Sequence, residues 1–136
     1  MGHHFPWNSY GGSYIDHIDG SKGNYWGSQD PFDQGTTPIG YFNGGQSPSG
    51  IDTANGFGLY DMSGNVAEWC WDWGAVYSAN YQSDPLGPSS GTERILRGGS
   101  WWGDPIVDNE ARCASRLSAE PQATFPHIGF RTVRRP

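Results

Sequence analysis

The chain has 136 residues, the size of one domain, and a formal charge of −6, which argues against nucleic acid or an anionic membrane surface as its main partner. With 21 Gly, 10 Pro and only 35% apolar residues, it has little room for long regular elements. Yet 7 Trp, 7 Tyr and 6 Phe can build a small core, and a chain so rich in aromatics is not disordered.

Residues 1 to 57 are dominated by Gly, Asn, Ser, Asp and Pro and read as turns joined by short extended pieces. Trp7, Tyr10, Tyr14, Tyr25, Trp26, Phe32, Tyr41 and Phe42 would peg these loops to the core. TTPIGYF, 36 to 42, reads as a short strand with Pro38 at an edge. GLYDMSGNV reads as a strand end followed by a turn at Ser63-Gly64-Asn65. VAEWCWDW then alternates, with Val66, Glu68, Cys70 and Asp72 on one face and Ala67, Trp69, Trp71 and Trp73 on the other, which is the strand period. Residues 74 to 93 are a loop with DPLGPSSG at its tip. ERILRGGSWW, 93 to 102, is a strand interrupted by Gly98-Gly99, a sign of a bulge or a close backbone approach. EARCASRLSA, 110 to 119, is a second short strand or a turn of helix, and HIGFRTVRR, 127 to 135, a final strand. Trp69 and Trp101 are expected in the core, with Trp71, Trp73 and Trp102 partly exposed. Arg97, Arg112, Arg116 and Arg131 are expected to tie loops by bonds to carboxylates or carbonyls. His17 and His127 have no ligand-spaced partner, and His3 and His4 sit together near the start.

No run of about 18 apolar residues suggests a membrane span, and no signal peptide is visible. The opening MGHHFPWNSY reads as a processed start, a natural short start or a tag remnant. Cys70 and Cys113 are one disulfide or two free thiols; an isolated, widely separated pair in a Gly- and Trp-rich domain favours the disulfide. Such a bond would contribute about 3–4 kcal/mol on the chain-entropy model and would place the protein outside a reducing cytosol, secreted or periplasmic.

GLYDMSGNVAEW, ERILRGGSW, RCASR and IGFRTVRR, in this order, resemble the formylglycine-generating enzyme, or sulfatase-modifying factor, family, from FPW at residue 5 to the C-terminus. The resemblance implies an α+β, loop-rich variant of the C-type lectin fold, here a short version with little helix: one domain over 1–136 matching the C-terminal half of a full member. Catalytic members oxidise a target cysteine to formylglycine with oxygen and copper held by two cysteines. The matching positions here are Gly103 and Asp108. A soft thiolate pair selects Cu(I), and glycine with a carboxylate does not replace it. The resemblance therefore argues against copper and against the oxidase, and it makes Cys113 a structural cysteine.

Family members also bind calcium at two loop sites. The first corresponds to Asn24 and Asp30 by side chain with Tyr25 and Phe32 by carbonyl, in a shorter loop here. The second corresponds to Asp61 and Glu68 by side chain with Gly64 and Val66 by carbonyl. Both mix carboxylates and carbonyls as calcium requires. Taken alone, Asp30 and Asp61 would be turn caps and Glu68 a surface charge. Three functions follow as expectations. The first is a non-catalytic, calcium-stabilised binding module. It would present the segment from Trp102 to His127, with Trp102, Asp104, Asp108, Asn109 and Glu110, to a protein or carbohydrate ligand. The second is a copper-dependent oxidase of the family type. The third is a structural subunit of an extracellular assembly, in which an oligomer or a partner supplies the missing N-terminal half.

Overall fold

The computed structural model describes residues 18–32, 34–103 and 110–133. Four short strands form one mixed sheet: β1 Ala67–Trp73, β2 Arg94–Arg97, β3 Leu117–Ala119 and β4 Ile128–Gly129. Their spatial order is β3-β2-β1-β4. β1 pairs antiparallel with β2 and parallel with β4, and β2 pairs antiparallel with β3. No α-helix occurs among the described residues, and none there is long and apolar enough to cross a membrane.

β1 is the strand that the alternation marks. Its register against β2 shifts between Trp69 and Trp73. The Arg94 guanidinium lies 3.7 Å from the Trp73 ring centre and 4.8 Å from that of Trp71, so these two tryptophans share a face as expected. Trp71 is exposed and Trp101 is buried, but Trp69 is only half-buried rather than a core residue. β2 stops where Gly98 and Gly99 turn left-handed, with φ of +92° and +70°. A side chain on Gly99 would stand 2.9 Å from the Ala111 nitrogen, so the glycine pair marks a close backbone approach.

Three expectations change. Residues 36 to 42 are not a strand; the Tyr41 amide closes a turn on the Pro38 carbonyl at 3.1 Å, with Gly40 at φ +69°. In 110–119 only Leu117–Ala119 is strand, because the Arg97 guanidinium takes the carbonyls of Cys113 and Ser115 at 3.1 and 2.9 Å. In 127–135 only Ile128–Gly129 is strand, and Arg131 turns its side chain onto the 60–61 backbone instead.

The buried apolar residues are few: Ile18, Tyr25, Phe42, Ala67, Ile95, Leu96, Trp101 and Ala111. Bonded polar groups complete the interior, as buried polar groups must. The 63–65 turn is their hub. The Ser63 hydroxyl donates to Ala111 O at 2.8 Å, Gly64 N to Gly98 O at 2.7 Å and Asn65 N to Asn24 O at 2.8 Å. Asn65 O accepts Trp101 N at 2.9 Å, and its side-chain oxygen accepts Thr37 N at 3.1 Å. One turn thus fastens four segments, around residues 24, 37, 98–101 and 111.

Candidate functional site

The first expected ligand set lies in the turn-rich stretch 24–35. Asn24 is fully buried. Its amide nitrogen donates to Gly35 O at 2.8 Å, while its Oδ1 has no hydrogen-bond partner. Asp30, 5% exposed, accepts from the Ser28 hydroxyl at 2.5 Å and from the Phe32 amide at 2.6 Å. The Tyr25 and Phe32 carbonyls accept Ser28 N and Gly35 N. A buried amide oxygen without a donor is costly, and the mixture of amide, carboxylate and carbonyl oxygens suits a hard cation. Within this set Asn24 Oδ1 is the atom that lacks a partner.

The second set is arranged differently. Asp61, at φ +56°, accepts the Gly40 amide on Oδ2 at 3.0 Å, and its Oδ1 is buried without a donor. Burial pushes the Asp61 carboxyl up, against the pull of the Gly40 amide and Arg131. Glu68 is also pushed up by burial, against Arg131. Arg131 joins the two: Nε to Glu68 Oε1 at 2.5 Å, Nη1 to Tyr60 O at 2.7 Å and Nη2 to Asp61 O at 2.6 Å. A guanidinium already supplies the positive charge here. Gly64 and Val66 serve the packing: Gly64 is pressed against the Asn24 backbone, and Val66 lies under Gly129. Among the described residues no group of three or more His, Cys, Asp or Glu side chains is gathered as for a metal, so any ion in either loop would depend on amide and backbone oxygens.

Of the two positions that the resemblance assigns to the copper cysteines, Gly103 and Asp108, only Gly103 lies among the described residues. Gly103 donates to Ser100 O at 3.2 Å and accepts Trp26 N at 3.1 Å. A Cβ there would run into Oε2 of Glu110. Asp104, Asp108 and Asn109 lie outside the described residues.

Around Gly103 stands an aromatic cluster that sequence reasoning divided among unrelated roles. Trp26 and Trp102 meet edge to face, with centroids 5.9 Å apart at 66°. Trp102 meets Trp101 at 5.4 Å and stacks on His127 at 6.1 Å and 14°. His127 stacks on Phe125 at 5.4 Å. Burial holds the His127 pKa below its ordinary value. Trp26, Trp102 and Phe125 are each about half exposed, at 53, 58 and 52%. The bond from Trp26 to Gly103 joins residues far apart in sequence, and no local pattern announces it.

Cys70 and Cys113 are free thiols, which corrects the favoured disulfide. Arg97 is what they share: it bonds Cys113 O, and its charge acts on the Cys70 thiol, which burial pushes up. Alkylation of the native protein should label exposed Cys113 faster than half-buried Cys70 and reach two labels per chain, checked by intact mass. An unlabelled pair that appears only after reduction would contradict this. A groove of about 890 Å³ lined by Asp72, Tyr77, Ile95, Arg97 and Arg116 includes none of the expected ligand residues. Its arginines are committed to Cys113 O, Ser115 O, Ala75 O and the Tyr77 hydroxyl.

Fold and site together define a small mixed-sheet domain whose loops, rather than helices, carry its chemistry. The description "Sulfatase-modifying factor enzyme 1-like domain" matches residues 1–136, and the chain belongs to that family. It is 39% identical over 114 residues to the formylglycine-generating enzyme of Thermomonospora curvata, covering 76% of this chain and 37% of that protein. Among solved structures it is similar to Treponema denticola variable protein 1, with TM-score 0.60, 30% identity and coverage of 81% of this chain and 34% of that one. PvdO from Pseudomonas aeruginosa is similar at TM-score 0.59 and 30% identity, covering 93% and 42%. The chain spans well under half the length of the curated relatives it matches.

Proposed function

We propose that this domain is a non-catalytic binding module of the family, built on a lectin-like frame and stabilised by calcium. The observation that carries this reading is Gly103. The resemblance assigns it the first copper position, it carries no thiol, a Cβ on it would meet Glu110, and half-exposed tryptophans flank it. A surface of this kind holds a ligand by ring faces and a carboxylate and offers no soft donor for Cu(I). The segment from Trp102 to His127, including Glu110, presents it to a protein or carbohydrate. Calcium would be held by Asn24, Asp30 and the Tyr25 and Phe32 carbonyls, and there it would neutralise Asp30 and satisfy Asn24 Oδ1. At the second loop, Asp61 Oδ1 would be its main side-chain contact, since Arg131 already bonds Glu68. Sites of weak, carbonyl-rich type suit calcium-rich surroundings outside the cytoplasm.

The test is direct. The protein is incubated with Cu(I), oxygen and a cysteine peptide of the sulfatase type, and aldehyde is read by mass. No formylglycine above the metal-only control is expected; turnover that follows protein concentration would return the oxidase.

One observation favours a second, assembly role. Phe57, Leu59, Phe130 and Val133 are exposed, and Arg131, which lies between the last two in sequence, bonds Tyr60 O and Asp61 O. We read these exposed apolar residues as part of an interface, which an oligomer or a partner completing the fold would cover.

A further inference from the structure

The groove between the 72–88 segment and the sheet holds two guanidiniums, Arg97 and Arg116, that no carboxylate neutralises among the described residues. Arg97, on β2, donates to Cys113 O, Ser115 O and the Tyr77 hydroxyl. Arg116 donates to Ala75 O and lies 4.2 Å from the Tyr77 ring centre. These contacts fix both side chains, but carbonyls, a hydroxyl and a ring face carry no net charge to cancel theirs. Arg116 has N–H groups to spare, because a guanidinium carries several and Ala75 O takes one. Asp72 and Asp84 also line the groove, yet both are exposed, whereas the two arginines are half-buried. The positive charge therefore lies deeper and is less screened by water.

Apolar surface stands next to this charge. Val76, Tyr77 and Leu86 are exposed along the groove, and Ile95 lines it from β2. The volume, about 890 Å³, is that of a small-molecule site. β2 pairs with β1 on one side and with β3 on the other, so it leaves no open strand edge for a peptide, and recognition falls to side chains. A guanidinium fork matches a carboxylate in shape as well as charge. We propose that the groove binds a small carboxylic acid with an apolar body. The carboxylate sits on Arg116, Arg97 adds charge, and the body lies against Tyr77, Val76 and Leu86. The site includes none of Trp26, Trp102 and Glu110, so it goes beyond the reading of that corner, and either can fail without the other.

The test uses the full chain with 4-phenylbutyrate as probe, followed by calorimetry and by tryptophan fluorescence, since Trp73 lines the groove. Saturable binding of the acid is expected, with the neutral 4-phenylbutanamide weaker by about ten-fold, the size of a hydrogen bond to a charged group. Acetate, which has the charge without the body, should also be weaker by about ten-fold or more. Arg116→Met should weaken the acid by about ten-fold and leave the amide unchanged, and Arg116→Lys should keep part of the acid binding. Leu86→Ser should weaken acid and amide alike; Leu86 is 88% exposed, so this variant should keep the wild-type melt. Melts of all variants are checked first, and the comparison of acid with amide on the wild type depends on none of them. Equal binding of acid and amide would overturn the proposal in favour of a merely apolar groove. Acetate as tight as the probe would reduce it to a bare anion site and overturn it too. So would binding of an apolar peptide with a free C-terminus but not of 4-phenylbutyrate, or no saturable binding at all.

Discussion

Gly64→Ala should cost about 3–5 kcal/mol, the range reserved for strain combined with overpacking. Gly64 has φ +83°, where a Cβ is strained in any surroundings. A methyl there would also press into the Asn24 backbone, which cannot swing away because Asn24 O accepts Asn65 N. The damage would reach all four segments that the 63–65 turn fastens. A drop in melting temperature on the order of 10–20 °C is expected for a chain of this size. Gly27→Ala is the control: its φ is +78°, but nothing lies within 4 Å of the added atom. It should cost about 1 kcal/mol, from backbone strain alone. Equal melting temperatures for the two variants would contradict the role given to the turn.

Arg131→Met should cost about 2 kcal/mol, since the ion pair it breaks is partly buried and two backbone carbonyls lose their donor as well. Methionine keeps the apolar stem but strands Glu68, Tyr60 O and Asp61 O. The pH profile separates this from lost packing. Asp61 and Glu68 both have folded pKa values raised by burial, so the folded state binds their protons more tightly than the unfolded one. Their contribution to stability is therefore full below the unfolded values, about 4 for carboxyls. It is lost as pH rises through the folded values. Arg131 opposes the rise at both carboxyls. Without it the loss should be steeper and extend to higher pH. Adding Glu68→Gln to Arg131→Met should flatten the profile and recover part of the stability. Urea melts from pH 4 to 7 measure this, and an unchanged slope in Arg131→Met would refute the linkage.

Local signals carried over well where they rested on backbone geometry. The alternation of 66–73 fixed β1 because a half-buried strand needs that period. Gly98-Gly99 announced a close approach because only glycine tolerates both the φ values and the spacing found there. The reading failed where long side chains outcompete the sheet. Arg97 and Arg131 draw the carbonyls of 113, 115, 60 and 61 into bonds that no periodicity records, which shortens β3 and β4. Residues 36–42 misled because Tyr41 and Phe42 favour strands while Pro38 and Gly40 make a turn. The family resemblance selected the candidate oxygens, but it did not foresee that Arg131 would stand at the second loop or that Trp26 and His127 would join Trp102.

The central claim is a calcium-stabilised module, and thermal melting in calcium against chelator tests it most directly. A ligand that binds only the folded state at about 100 times its Kd adds about 2.7 kcal/mol. The wild type should therefore melt several degrees higher in millimolar calcium. Asp30→Asn should lose most of that rise, because it removes the buried carboxylate beside Asn24's loop. Magnesium, which needs tighter octahedral geometry, should do little. A melting temperature that is the same in calcium and in chelator would contradict the account.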